Sequence, residues 1–246
     1  DGISTLDAIR GDQYVQNASI YQYIEGPLAV VGGYVRTTGA VPGLSGGEYA
    51  TAPSLTVSPT GNTWTNNITA IDPDFSEFWD GTSDGRRNYT IDVSTGTVIA
   101  TDLQWGGDGE VLFSTETEGD VGITYDRWNN SLWILNHDTG LITDYSLTGE
   151  YLSSFYADDI DIFGTALAMD IDRTLWFVID NSGIISHYDI EGNWLGEDFY
   201  DPLGYSLGGE IAAVPEPGTL AMASLMSGLF GMAWLRRRTS LRGTSL

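Results

Sequence analysis

Upstream of residue 215, apolar, aromatic and β-branched residues cluster in short stretches, and Asp, Asn and Gly separate the stretches. Leu132-Trp133-Ile134-Leu135 is followed by a turn-forming stretch, His137-Asp138-Thr139-Gly140. Leu141-Ile142-Thr143-Asp144-Tyr145-Ser146-Leu147, a Thr148-Gly149 turn and Tyr151-Leu152-Ser153-Ser154-Phe155 come next. Short runs rich in aromatic and β-branched residues, bounded by turn formers, predict strands. No amphipathic helical stretch of convincing length precedes residue 218.

The pattern repeats. Residues 70–79, 124–133 and 168–176 each read as a short strand, an Asp-led turn and a second strand ending in Trp. The shared positions are Asp72, Asp126 and Asp170, and Trp79, Trp133 and Trp176. The second and third copies continue in step: Gly140 and Gly183, Tyr145 and Tyr188, Gly149 and Gly192, and Leu152 and Leu195 lie at matched distances from their tryptophans. Trp133 and Trp176 set the period at 43 residues. Four strands in about 43 residues is the size of a β-propeller blade. The first copy is looser, with about eleven extra residues before Trp133 that residues 104–118 would supply. Residues 20–28 echo residues 185–192 and read as the outer hairpin of a further blade, and residues 37–63 as loops and short strands. The expected fold is therefore all-β, built from propeller-like repeats at about 67–103, 122–155 and 166–199 within an acidic domain spanning 1–210. That length has room for about five blades of this period. A β-sandwich is the competing arrangement.

Charge and cysteine content narrow the function classes. The chain carries 34 acidic and 10 basic residues, all of the latter Arg, for a net charge of −24. Four of the arginines lie beyond residue 235, so residues 1–214 hold 33 acids against six arginines. Nucleic acid, which needs a basic surface, is excluded as a partner. Cysteine is absent, which removes disulfides, thiol catalysis and zinc–thiolate sites.

The C-terminal end has a different physics. Residues 211–217 form a linker containing Pro215-Glu216-Pro217, and residues 218–235 carry no charge over 18 positions. As a helix that run would extend about 27 Å, the short end of what a bilayer core requires. Trp234 suits the headgroup layer, and Arg236, Arg237 and Arg238 form a positive-inside stop, so residues 236–246 are expected on the cytoplasmic side. A buried core helix is the other reading of the run, and three consecutive arginines argue against it.

In this order, Val214-Pro215-Glu216-Pro217, the apolar segment and the basic end resemble the PEP-CTERM sorting signal of Gram-negative bacteria that make extracellular polysaccharide. The resemblance covers the last 33 residues, and residues 239–246 extend past the usual end of the signal. It implies transient recognition by an exosortase, a membrane protease-transpeptidase that cuts at or near Pro-Glu-Pro. It also implies an inner-membrane intermediate and then release or attachment at the cell surface. Such a tail requires an N-terminal signal peptide, which the residues from Asp1 onward do not form; either it has been removed or the sequence is a fragment. The strand-and-turn phrases of residues 67–200 likewise resemble propeller blades found in exported bacterial proteins.

Candidate chemistry is sparse. Asp72, Asp126 and Asp170 could line a channel, although Asp before a tight turn also bonds its own backbone. Trp79, Trp133 and Trp176 are core candidates or sugar-stacking platforms. Asp158, Asp159 and Asp161 form the densest acidic cluster and are candidate calcium ligands, but they lack EF-hand spacing. His137 and His187 lack any nucleophile or metal spacing. No catalytic residue and no cofactor other than calcium is expected. The function expected is that of a non-enzymatic surface or matrix protein of a biofilm, contacting exopolysaccharide or other copies of itself. A calcium-dependent propeller enzyme, a lactonase or a polysaccharide hydrolase or lyase, is the alternative. Asn136 and Asp180 are the positions to inspect for it.

Overall fold

The computed structural model describes residues 2–6, 14–19, 27–31, 34–37, 52–58, 61–69, 78–103, 105, 109–157, 166–178, 184–196, 199–200 and 209–210. The chain divides into two compact units, Asp1–Ala212 and Ala213–Leu246, and all described residues belong to the first.

Every element among the described residues is a strand. A hairpin pairs β1 (Gly2–Leu6) with β2 (Tyr14–Ser19). Four four-stranded antiparallel sheets follow. The first contains β3 (Leu28–Val31), β4 (Tyr34–Thr37), β5 (Ala52–Ser58) and β6 (Gly61–Thr69). The second contains β7 (Gly81–Ser83), β8 (Asn88–Asp92), β9 (Thr97–Thr101) and β10 (Glu110–Ser114). β11 (Asp120–Asp126), β12 (Ser131–Asn136), β13 (Leu141–Ser146) and β14 (Tyr151–Tyr156) form the third. β15 (Leu167–Met169), β16 (Leu175–Val178), β17 (Ile184–Tyr188) and β18 (Phe199–Tyr200) form the fourth. In each sheet every strand pairs with its neighbour in sequence.

The first strands β3, β7, β11 and β15 lie successively against one another, so each sheet runs outward from its first strand to its fourth. Burial follows the same gradient. β12 is buried at all six positions, whereas five of the six residues of β14 are exposed. Two apolar layers fill the gaps between sheets. Tyr89, Ile91, Val98 and Ala100 meet Ile123, Leu132 and Ile134 between the second and third sheets. Trp133, Leu135 and Ile142 meet Leu167, Leu175, Phe177 and Tyr188 between the third and fourth. A strand packed on both faces has no polar side to present, which is why Leu132 to Leu135 read as an unbroken apolar run.

The matched positions of the repeat sit at these gaps. Tyr145 packs 5.6 Å from the ring of Phe113 in the preceding sheet, and Tyr188 stacks 6.2 Å from Phe155 in its own preceding sheet. Gly149 and Gly192 have φ of +82° and +86°. A Cβ at either would fall 2.7 Å from the Phe beneath it, Phe113 and Phe155 respectively. Glycine is required twice over there, by backbone and by space.

The first repeat is phased differently from the expectation. Residues 70–77 lie outside the described residues, and Trp79 precedes β7 instead of ending a second strand. Tyr89 in β8, seven residues before Gly96, fills the place of Trp133, facing the next sheet. Residues 104–118 are not an inserted excursion, since they contain the outer strand β10. Residues 37–63 hold more regular structure than expected, including the seven-residue β5. The proposed hairpin at residues 20–28 lies outside the described residues except for Pro27 and Leu28, where β3 begins.

Candidate functional site

The first strands converge on one carboxylate. Asp80, fully buried just before β7, accepts four backbone N–H bonds. Gly81 and Gly209 donate to Oδ1 at 2.9 and 3.0 Å. Ile123 of β11 and Leu167 of β15 donate to Oδ2 at 3.0 Å each. One side chain thus ties together the first strands of three sheets and a segment 129 residues downstream. The Asp80 carbonyl also accepts from the Thr90 hydroxyl at 2.8 Å.

A second tier lies one step along the same strands. The Thr82 hydroxyl oxygen accepts from the Tyr125 amide at 3.1 Å, and that of Thr124 accepts from the Met169 amide at 3.0 Å. Thr82 also hydrogen-bonds the carboxylate of Glu210. The other carboxylate oxygen of Glu210, Oε2, is buried without a partner. Burial pushes Asp80 well above the usual carboxylate range, against its four amide donors. Burial also pushes Glu210 well up; the Thr82 bond opposes this, the nearby Asp80 charge adds to it, and Arg127 offsets part of it. The pair can anchor chain segments, and it favours holding a proton. Asp80 has no oxygen left over for catalysis.

A polar cluster surrounds β11 and β12. Asn136 donates from Nδ2 to the Glu118 carbonyl and to Asp120 Oδ1, and its Oδ1 accepts from the Thr139 amide at 3.0 Å. Its amide is spent on structure. Burial raises the Asp120 carboxyl, partly offset by bonds from Thr115 and Asn136. His137 Nδ1 lies 2.7 Å from the Gly119 carbonyl, and Nε2 lies 3.2 Å from Asp138 Oδ1. Both ring nitrogens are therefore engaged. Trp79, half-buried, packs its ring 5.9 Å from that of His137.

Asp126 and Asp170 act as turn formers. Asp126 is fully buried, accepts from the amides of Trp128 and Asn129 at 2.8 and 3.2 Å, and is paired with Arg173 at 2.9 Å. Asp170 accepts from the Ile171 amide. Trp133 belongs to the core in β12, and Trp176 in β16 stacks on His187 at 3.8 Å. Asp72, Asp158, Asp159, Asp161 and Asp180 lie outside the described residues, as do Pro215, Glu216, Pro217, Arg236, Arg237 and Arg238. Among the described residues no three His, Asp or Glu side chains could together hold a metal ion. Also among them, no helix is long and apolar enough to cross a membrane, and residues 218–235 lie outside that set.

The residues that sequence reasoning missed are Asp80, Thr82, Thr124, Gly209 and Glu210. Asp80 precedes Ile123 by 43 residues, the repeat period itself, and that spacing was the one available signal.

Comparison with known proteins agrees with both halves of this picture. The PEP-CTERM protein-sorting motif matches residues 213–238. The search of curated proteins gave no match. Among solved structures, the nidogen/laminin complex aligns at 14% identity over 79% of this chain and 87% of that one, with a TM-score of 0.52. A Bacteroides thetaiotaomicron protein of unknown function aligns at 12% over 74% and 48%, with a TM-score of 0.51. Virginiamycin B lyase from Staphylococcus aureus aligns at 14%, with a TM-score of 0.47. The chain covers 73% of its own length in that alignment and spans 56% of the lyase. At these identities the likeness is one of fold, of β-propeller type. The motif implies an exosortase as processing partner, a membrane anchor before processing, and then the cell surface or extracellular space. The chain is an exported protein that carries a PEP-CTERM sorting motif behind an all-β domain of propeller type.

Proposed function

We propose that the processed protein works by contact at the cell surface or in the extracellular matrix, as a binding or structural component. The observation that carries this reading is the distribution of exposed apolar side chains. Tyr151 and Tyr156 on β14, and Trp194 between β17 and β18, are 63, 65 and 59% exposed. Trp128, in the turn after β11, is exposed and lies under the Arg127 guanidinium at 4.5 Å. A chain with a net charge of −24 repels acidic surfaces and copies of itself. Uncharged aromatic faces are where a polysaccharide can approach without that penalty, with an apolar face and a polar edge to offer. Calcium held at Asp158, Asp159 and Asp161 would bridge the domain to acidic polysaccharide.

The test is retention of the purified protein on exopolysaccharide from the producing cells, with calcium and with chelator. Replacing Tyr151, Tyr156 and Trp194 by Ser is expected to reduce retention at least severalfold. Unchanged retention in that triple variant sinks the reading. Indifference to chelator removes the calcium part alone.

A further inference from the structure

We infer that Gly209 and Glu210 are a closing latch that seats in the Asp80 socket, stays with the processed protein and sets the upstream limit of processing. The processing half rests on the exosortase reading above; the latch itself does not.

The socket is built by three sheets. Asp80 takes its donors from β11, β15 and the start of β7, and only the fourth donor, Gly209, comes from outside a strand. Gly209 approaches closely: a Cβ on it would stand 3.3 Å from that of Ala166, beside the β15 donor Leu167. The next residue anchors separately, through Thr82, and buries a carboxylate whose Oε2 has no partner. Two consecutive residues with no strand of their own are thus fixed by hydrogen bonds to the innermost strands. A buried carboxylate is too costly to retain for surface decoration.

The location gives the latch its consequence. Four residues separate Glu210 from Pro215 of the sorting motif. A protease must draw its substrate into an extended form with free groups, and the Gly209 amide and the Glu210 side chain are committed while seated. Cleavage is then confined to the chain after Glu210. The three-sheet socket also stays filled once the tail is gone.

Two readouts on the full chain test this. Hydrogen exchange on the detergent-solubilised precursor should show residues 209–210 protected like β7, β11 and β15. Asp80→Asn, which sets an amide against N–H donors, should cut the protection of that segment about tenfold or more. Glu210→Gln, which keeps the shape and cannot ionise, should preserve or raise it. That milder variant guards against a general failure to fold. In producing cells, the wild-type C-terminus should fall after Glu210, and Asp80→Asn should add termini upstream of it. An unprotected 209–210 segment in the wild type overturns the latch whatever processing does. Protection together with an intact Leu246 terminus leaves the latch standing and overturns the processing half. A wild-type terminus upstream of Gly209 overturns the claim that the latch is retained.

Discussion

The amide of Gly209 donates to Oδ1 of Asp80 at 3.0 Å across 129 residues of chain. Three other amides share the same carboxylate, so losing it orphans all four donors. A buried unsatisfied donor costs about 1–3 kcal/mol. Asp80→Ala should lower unfolding stability by about 4 kcal/mol or more, read from the denaturant midpoint. A loss near that of an ordinary surface substitution would mean that the four bonds do not form together.

Stability should fall as pH rises above the ordinary carboxylate range. Asp80 and Glu210 are both raised, by burial first, so the folded chain holds protons that the unfolded chain releases. Their contribution is full below the unfolded carboxylate values and is lost as pH climbs through the folded ones. Asp84 runs the other way. Burial pushes it up, but bonds from the Arg87 amide and the Tyr89 hydroxyl hold it below its usual value, so its contribution fades as pH falls. Glu210→Gln should flatten that decline and leave the Asp84 limb unchanged in a pH series of thermal midpoints.

Gly149→Ala and Gly192→Ala should each destabilise by about 2–4 kcal/mol, combining the left-handed backbone with a Cβ set 2.7 Å from Phe113 or Phe155. The two contributions separate in a double-mutant cycle. In a Phe113→Gly background, which removes both the ring and the Cβ that stands 2.7 Å away, the Gly149→Ala penalty should shrink to the backbone part, about 1 kcal/mol. Strict additivity would contradict the packing.

Arg173→Ala leaves Asp126 buried without its cation. Because Arg173 is itself 35% exposed, screening reduces the loss to about 1–3 kcal/mol. Arg173 also sits at φ +68°, which glycine tolerates better. Arg173→Gly should therefore cost less than Arg173→Ala. The reverse order would show that the left-handed backbone at residue 173 does not set the energetics of this turn.

The repeat was legible where side chains carry it. Tyr145 and Tyr188, and Gly149 and Gly192, were visible at matched spacing because each pair performs one packing task between adjacent sheets. The phase of the preceding repeat was misread, because Trp79 looks like Trp133 in type while Tyr89 occupies the matching place in the core. The centre was illegible for a different reason. Three of the donors to Asp80 come from strands and turns of other repeats, and all four are backbone amides, which leave no residue signature. Glu210 was hidden among 34 acidic residues until the fold placed it beside Thr82.

Each four-stranded sheet is a simple meander, every strand pairing with its sequence neighbour. Contacts of this kind form early and need no distant partner. A chain crossing a membrane from its N-terminus can therefore assemble sheet by sheet as it emerges. The bonds to Asp80 from Ile123, Leu167 and Gly209 span 43, 87 and 129 residues, and the last of them cannot form until nearly all of the domain has crossed. Closing the centre of the exported domain therefore requires the residues immediately ahead of its sorting signal, so the fold is complete only when the chain reaches that signal.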